Sequence, residues 1–178
     1  AYILTTMTIK PLRRTESKPL ERPSRDEVLR AIDTILRHIG EDPAREGLRD
    51  TPERVLRAWA EYFAGYGQDA EEELARTFEE MRGYDDIVLV RDIDFIAHCE
   101  HHMVPIVGKA HVGYWPQDKI VGISKLARVV DIHARRLVCQ ETMTRNIAAS
   151  IDGALAPRGV AVLVRAEQVA SPQSRPQR

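Results

Sequence analysis

The feature that most narrows what this chain can fold into is a change of hydrophobic period near residue 87. Before it, apolar residues recur at helical spacing: Val28, Ile32, Ile35, Leu36 and Ile39, then Val55, Leu56, Trp59, Tyr62 and Phe63. After it, Ile87, Leu89, Arg91 and Ile93 open a β-rich stretch, and Ala110, Val112 and Tyr114 alternate with outward residues. A helix repeats its face every 3.6 residues and a strand every two, so one element cannot satisfy both patterns. The chain therefore needs helices first and strands after them.

Local signals sharpen the boundaries. Ser24 followed by Glu27 has capping-box spacing, and Gly40 supplies a stop. A second helix starts at Thr51, with Pro52 in the first turn where its missing N–H costs nothing, and ends at Gly65 and Gly67. Residues 69–81 read as a third, acidic helix with Leu74, Phe78 and Met81 inward. Residues 120–123 read as a short strand running into a helix capped by Ser124, which carries Leu126, Val129, Val130 and His133. Another helix follows over 138–155, and 160–164 closes as an apolar strand. The expected organisation is a mobile polar arm over 1–23, with residues 1–6 set aside as upstream of Met7, then a helical region over 24–83. A mixed domain over 84–167 and a disordered tail over 168–178 complete it.

Charge enters as an exclusion. Lys and Arg total 26 against 27 Asp and Glu, so no general attraction to nucleic acid or membrane is expected, and any basic site must be local. No apolar run is long enough to span a bilayer, and the opening residues lack the apolar core and cleavage site of a signal peptide. Two cysteines, Cys99 and Cys139, make no disulfide framework for a chain of this size and suit a reducing compartment. The expected address is the cytoplasm.

Cys99 lies in the run His98-Cys99-Glu100-His101-His102, five consecutive potential metal ligands. A continuous strand would send Cys99 and His102 to opposite faces, so they share a site only if the chain turns here. Pro105 and Gly108 just downstream permit that. A Cys–His pair supplies two donors to zinc, and catalytic zinc normally takes three from the protein. Residue chemistry alone leaves a metal site and a solvated polar loop both open.

Four ordered motifs carry a resemblance. Cys99-Glu100-His101-His102 with Gly108-Lys109-Ala110 and Tyr114-x-Pro116 resembles the signature of the GTP cyclohydrolase I family. Gly122-Ile123-Ser124-Lys125-Leu126-x-Arg128 resembles its second signature, Gln140-Glu141 its third, and Thr51-Pro52-x-Arg54-Val55 its helix-start motif. The resemblance covers residues of about 25–167. It implies zinc held by Cys99 and His102, with His101 as the acid–base group beside it. It implies triphosphate contacts from Ser124, Lys125 and Arg128, and from Arg54 of a neighbouring subunit. Glu141, aided by Gln140, is implied to read guanine. The implied fold is α+β, the tunnelling fold: an antiparallel sheet with helices on one face, preceded by a helical region and assembled as a toroidal homodecamer. The implied reaction opens the imidazole ring of GTP, releases formate and gives dihydroneopterin triphosphate for folate or other pterins.

One departure is visible. The family's last motif, His-x-Cys followed by a Met-rich stretch ending in Arg-Gly, supplies a catalytic histidine and the third zinc ligand. Here Gln168 and Ala170 stand where that His and Cys belong. The alternative expectation is therefore a catalytically impaired member that assembles and binds nucleotide.

Overall fold

The computed structural model describes residues 21–75, 77 and 86–167 in full, and the backbone of Ile3–Thr5 and of Gln168. They form two compact units. One comprises the described residues up to Glu61 from position 21; the other comprises Ile3–Thr5 and the described residues from Tyr62 onward.

In the first unit, α1 (Arg25–His38) begins at the expected capping box. The Ser24 N–H donates to Glu27 Oε2 at 2.8 Å, and the Glu27 N–H donates to Ser24 Oγ at 3.4 Å. Gly40, with φ of 95°, takes the left-handed backbone that ends the helix. Helix α2 (Thr51–Tyr62) follows. Of the apolar stripe expected on α1, Ile32 is buried while Ile35 and Ile39 stand exposed.

The second unit is a five-stranded sheet in the order β1-β5-β3-β2-β4, with β1 (Ile3–Thr5), β2 (Val88–Cys99), β3 (Pro105–Trp115), β4 (Leu137–Val138) and β5 (Gly159–Gln168). The β2–β4 pair is parallel and the others are antiparallel. Among the described residues, a 3-10 turn (Ala64–Gly67) and three α-helices, α3 (Ala70–Leu74), α4 (Ile123–Ala134) and α5 (Gln140–Leu155), accompany it. Leu126, Val129 and Val130 of α4 and Met143, Ile147 and Ile151 of α5 are buried in one cluster with Phe95, Ala97, Ala110, Val112 and Tyr114 of the sheet. Each of the buried Leu, Val, Ile, Met and Phe side chains contributes about 1.5–3 kcal/mol relative to exposure. This is the α+β arrangement expected, with the helices on one face.

A β-bulge decides which β2 residues reach that core. Val88 and Val90 pair with Tyr114 and Val112, but beyond the bulge the core-facing partners are Ile93 with Ala110 and Ala97 with Ile106. Asp92 adopts φ of 58° there, and its N–H donates to His111 Nδ1 at 3.2 Å. The extra residue shifts the inward positions from even to odd numbers, which turns Ile96 onto the outer face beside Val107, where Leu89 also lies. Gly108 serves the same packing. A Cβ on it would lie 2.4 Å from the Arg165 carbonyl oxygen and 2.8 Å from the Phe95 ring.

Four expectations need adjustment. Ile3–Thr5, placed in a mobile arm, forms an edge strand paired with residues 162–164, because the free edge of β5 offers unpaired backbone N–H and C=O groups. The division between units falls before Tyr62 rather than after residue 83, since α3 buries Ala70 and Leu74 in the sheet unit's core. The described part of the acidic helix is Ala70–Leu74; Phe78 and Met81 lie outside the described residues, as do residues 169–178 of the tail. Gly122, not Ser124, caps α4, in an extended conformation with ψ of 139°. The Tyr114 hydroxyl accepts the Val121 N–H at 3.1 Å and fixes the approach, and the Lys125 N–H closes the first turn on the Gly122 carbonyl at 2.8 Å.

Candidate active site

The chain does turn at the histidine-rich run. Strand β2 stops at Cys99, whose N–H donates to the Val104 carbonyl at 2.9 Å, while the Met103 N–H returns to the Cys99 carbonyl at 2.8 Å. Met103, with φ of 56°, takes the left-handed conformation that lets the chain re-enter as β3. Cys99 is buried, and His101 and His102 are exposed on the turn. Cys99 Sγ lies 3.5 Å from His101 Nδ1, and the His101 and His102 rings stand 6.4 Å apart. Thiol and imidazole donors on one turn suit zinc chemically. Among the described residues no group of three or more His, Cys, Asp or Glu side chains is gathered around one point.

His98 belongs to a different environment. Its ring stacks on Tyr62 at 4.9 Å and meets Phe63 edge-on at 5.3 Å, and burial lowers its pKa. It packs on the opposite side of the strand from Cys99, as side-chain alternation requires.

The two-residue strand β4 brings a second group to the turn. His98 pairs with Leu137 and Cys99 with Val138, and the Glu100 N–H donates to the Val138 carbonyl at 3.0 Å. Helix α5 starts immediately after, so Gln140 and Glu141 are delivered beside the turn. Glu141 is exposed in the first turn of α5, where the helix dipole favours its charge. Gln140 is engaged elsewhere: its Nε2 donates to the Val164 carbonyl at 3.0 Å and tethers α5 to β5. Cys139 is occupied too, capping α5 with its sulfur 3.0 Å from Thr142 Oγ1. On the far side of β3, Gln168 pairs with Ile106, so β5 carries position 168 toward the same end of the sheet.

The cations expected to hold phosphate converge, on a residue that the sequence did not single out. Lys125 Nζ donates to Glu73 Oε1 at 2.6 Å and Arg128 donates to the same oxygen at 3.0 Å. The acidic run Glu71-Glu72-Glu73 was the only available signal, and it reads as a solvated helix face. Ser124 is exposed in the same first turn of α4. From Lys125 to Ala134, where the chain leaves toward β4, is nine residues, or about 14 Å along the axis. Lys125, in the first turn of α4, thus stands near the opposite end of that helix from the chain's exit toward β4. Arg54 lies on α2 in the other unit, exposed and paired with Asp50 at 3.0 Å.

One buried titratable group gives a pH prediction. His133 of α4 is 6% exposed, and its Nε2 lies 2.9 Å from Ser150 Oγ on α5. Burial, with Arg136 nearby, pushes its pKa from 6.5 down to about 4. The unfolded chain then binds more protons than the native one between those values, so stability present above pH 6.5 falls as the pH drops through the window. The expected loss from this group is about 3 kcal/mol by pH 4. Urea unfolding of the wild type and His133→Gln across pH 7 to 4 checks it: the variant should lose markedly less stability, and parallel curves would refute the assignment.

Comparison with known proteins identifies the family. The family profile described as GTP cyclohydrolase I matches residues 28–173. A GTP cyclohydrolase 1 of Sinorhizobium fredii (strain NBRC 101917 / NGR234) is 59% identical over 148 residues, 83% of this chain and 72% of that one. One of Allorhizobium ampelinum (strain ATCC BAA-846 / DSM 112012 / S4) is 58% identical over 153 residues, 86% and 76% of the two chains. One of Brucella suis (strain ATCC 23445 / NCTC 10510) is 57% identical over 149 residues, covering 84% and 70%. At that identity over that share of the chain, with the Cys99 turn, the α4 cations and the start of α5 on one sheet framework, the chain is a member of the GTP cyclohydrolase I family.

Proposed function

We infer that this chain is a hydrolase that opens the imidazole ring of GTP, releases formate and forms 7,8-dihydroneopterin triphosphate, the entry to folate and related pterins. The observation that carries the inference is the β2–β4 rung, which sets the Cys99–His102 turn beside the first turn of α5 in a chain so similar to GTP cyclohydrolases. Glu141 binds guanine, accepting hydrogen bonds from the ring N–H and the exocyclic amine; adenine would leave it unpaired. Gln140 assists from its backbone position, since its amide already holds Val164. Ser124, Lys125 and Arg128 take the triphosphate, with Arg54 supplied by a neighbouring copy. Cys99 and His102 would hold zinc, which supplies Lewis-acid activation of water when bound. His101, exposed beside them, carries protons to and from the opening ring.

Assembly as a homo-oligomer, a toroidal decamer in the family pattern, is part of the same proposal. It is supported by the outer sheet face, where Leu89, Ile96 and Val107 are exposed. A cytoplasmic address is proposed on the free thiols of Cys99 and Cys139. No described helix is long and apolar enough to cross a membrane.

The test is direct. Protein purified with zinc and given GTP should release one formate per pterin triphosphate formed, and zinc per chain should be measured on the same sample. Nucleotide binding without formate would replace this reading with the impaired member that Gln168 and Ala170 point to. Failure of GTP to bind at all would end both.

A further inference from the structure

Glu73 is a charged side chain in direct contact with both proposed phosphate cations, and no sequence motif accounts for it. A single oxygen, Oε1, receives both Lys125 Nζ and Arg128 Nη1, so the two cations point at one spot with the convergence that a phosphate oxygen requires. Lys125 and Glu73 are only 21% and 22% exposed at the side chain, which limits screening of their pair, whereas Arg128 is 64% exposed. We propose that Glu73 is an internal counter-anion that competes with the substrate's triphosphate for Lys125 and Arg128 and must be displaced before the nucleotide is held. This rests on the reading of Lys125 and Arg128 as phosphate contacts.

The local structure says how the exchange happens. Helix α3 is anchored by Ala70 and Leu74, both buried in the core, and is capped by Asp69. Its backbone stays put, and the motion is a rotation of the Glu73 side chain. The hydrogen bond from Lys125, and then that from Arg128, lowers the Glu73 pKa and favours its anionic form. Displacement has an opposing cost. The hollow on this side is lined by Asp69, Glu72 and Asp131 beside Glu73 and Arg128, and Asp131 is itself paired with Arg135. A Glu73 carboxylate stripped of its cations faces like charges there. The exchange therefore weakens every anion that uses the two cations, while keeping them paired until a polyanion with several phosphate oxygens arrives.

The experiment is a calorimetric titration of the full-length protein with inorganic tripolyphosphate and, separately, orthophosphate. Glu73→Gln should bind both tighter than wild type, by about three- to ten-fold, and by a similar factor for each, because a competitor has been removed. The KM for GTP should fall by a comparable factor. Glu73→Asp, which keeps the charge on a shorter stem, should lie between the two and covers the case in which the glutamine variant fails to fold. Unchanged or weaker binding in both variants overturns the proposal, and weaker binding would make Glu73 a residue that positions the cations. A gain confined to tripolyphosphate would also overturn it, in favour of plain repulsion at a distance. Lys125→Ala with Arg128→Ala separates the underlying reading: if tripolyphosphate binds that double variant as well as wild type, the phosphate site itself is misplaced.

Discussion

His101→Ala is expected to lower kcat for formate release by about 10²–10⁴-fold, the usual contribution of a positioned proton donor and acceptor, while zinc content and the KM for GTP stay near wild type. The geometry makes the separation possible. His101 stands exposed with Nδ1 against the buried Cys99 sulfur, so its removal takes away the proposed proton carrier without touching Lys125 and Arg128 of α4. Cys99→Ala should instead lose zinc along with activity, because a thiolate contributes far more to zinc affinity than solvent can replace. Metal analysis paired with single-turnover formate measurements distinguishes the two variants. Loss of zinc in the histidine variant would make His101 a ligand, and full activity without either residue would remove the turn from the chemistry.

Gly65→Ala is expected to destabilise the fold by about 3 kcal/mol or more. A Cβ there would lie 2.1 Å from the Ile132 carbonyl oxygen and 2.8 Å from that of Arg135, both backbone atoms in or just beyond the last turn of α4. The Gly65 N–H also donates to the Arg135 carbonyl at 3.1 Å, and Arg136 Nε returns to the Gly65 carbonyl at 3.0 Å, so the segment cannot simply back away. Gly67, two residues on, has nothing within 4 Å of such a Cβ and is the matched control. Urea unfolding of both variants should show a large shift for the first and a change within a few tenths of a kcal/mol for the second; equal shifts would mean that the crowding at Gly65 is relieved by movement.

Much of this arrangement was legible in the residues, and the parts that were not share a cause. The Ser24–Glu27 cap, the alternation through Ala110, Val112 and Tyr114, and the apolar face of α4 are local patterns, and each is realised. The turn at Cys99 was legible as the condition for Cys99 and His102 to share a site, with Pro105 and Gly108 permitting it. The bulge at Asp92 was hidden, since an extra residue in a strand leaves no mark on a pattern of mixed polarity. Strand β4 is two residues long, below the length at which period means anything, yet it places the start of α5. The cap at Gly122 was read as Ser124 because serine is the better side-chain cap, whereas here the Tyr114 hydroxyl, far off in sequence, fixes the approach. Glu73 lies 52 residues from Lys125, and no spacing rule reaches that far.

The short parallel rung also sets a constraint on how this protein can vary. The base recognition proposed for Glu141 and the ring chemistry proposed for His101 hang from the same two backbone pairs, like two tools on one handle. A change that tilts β4 re-aims both together, so substrate choice and turnover are not independent quantities that substitution around the rung can adjust one at a time.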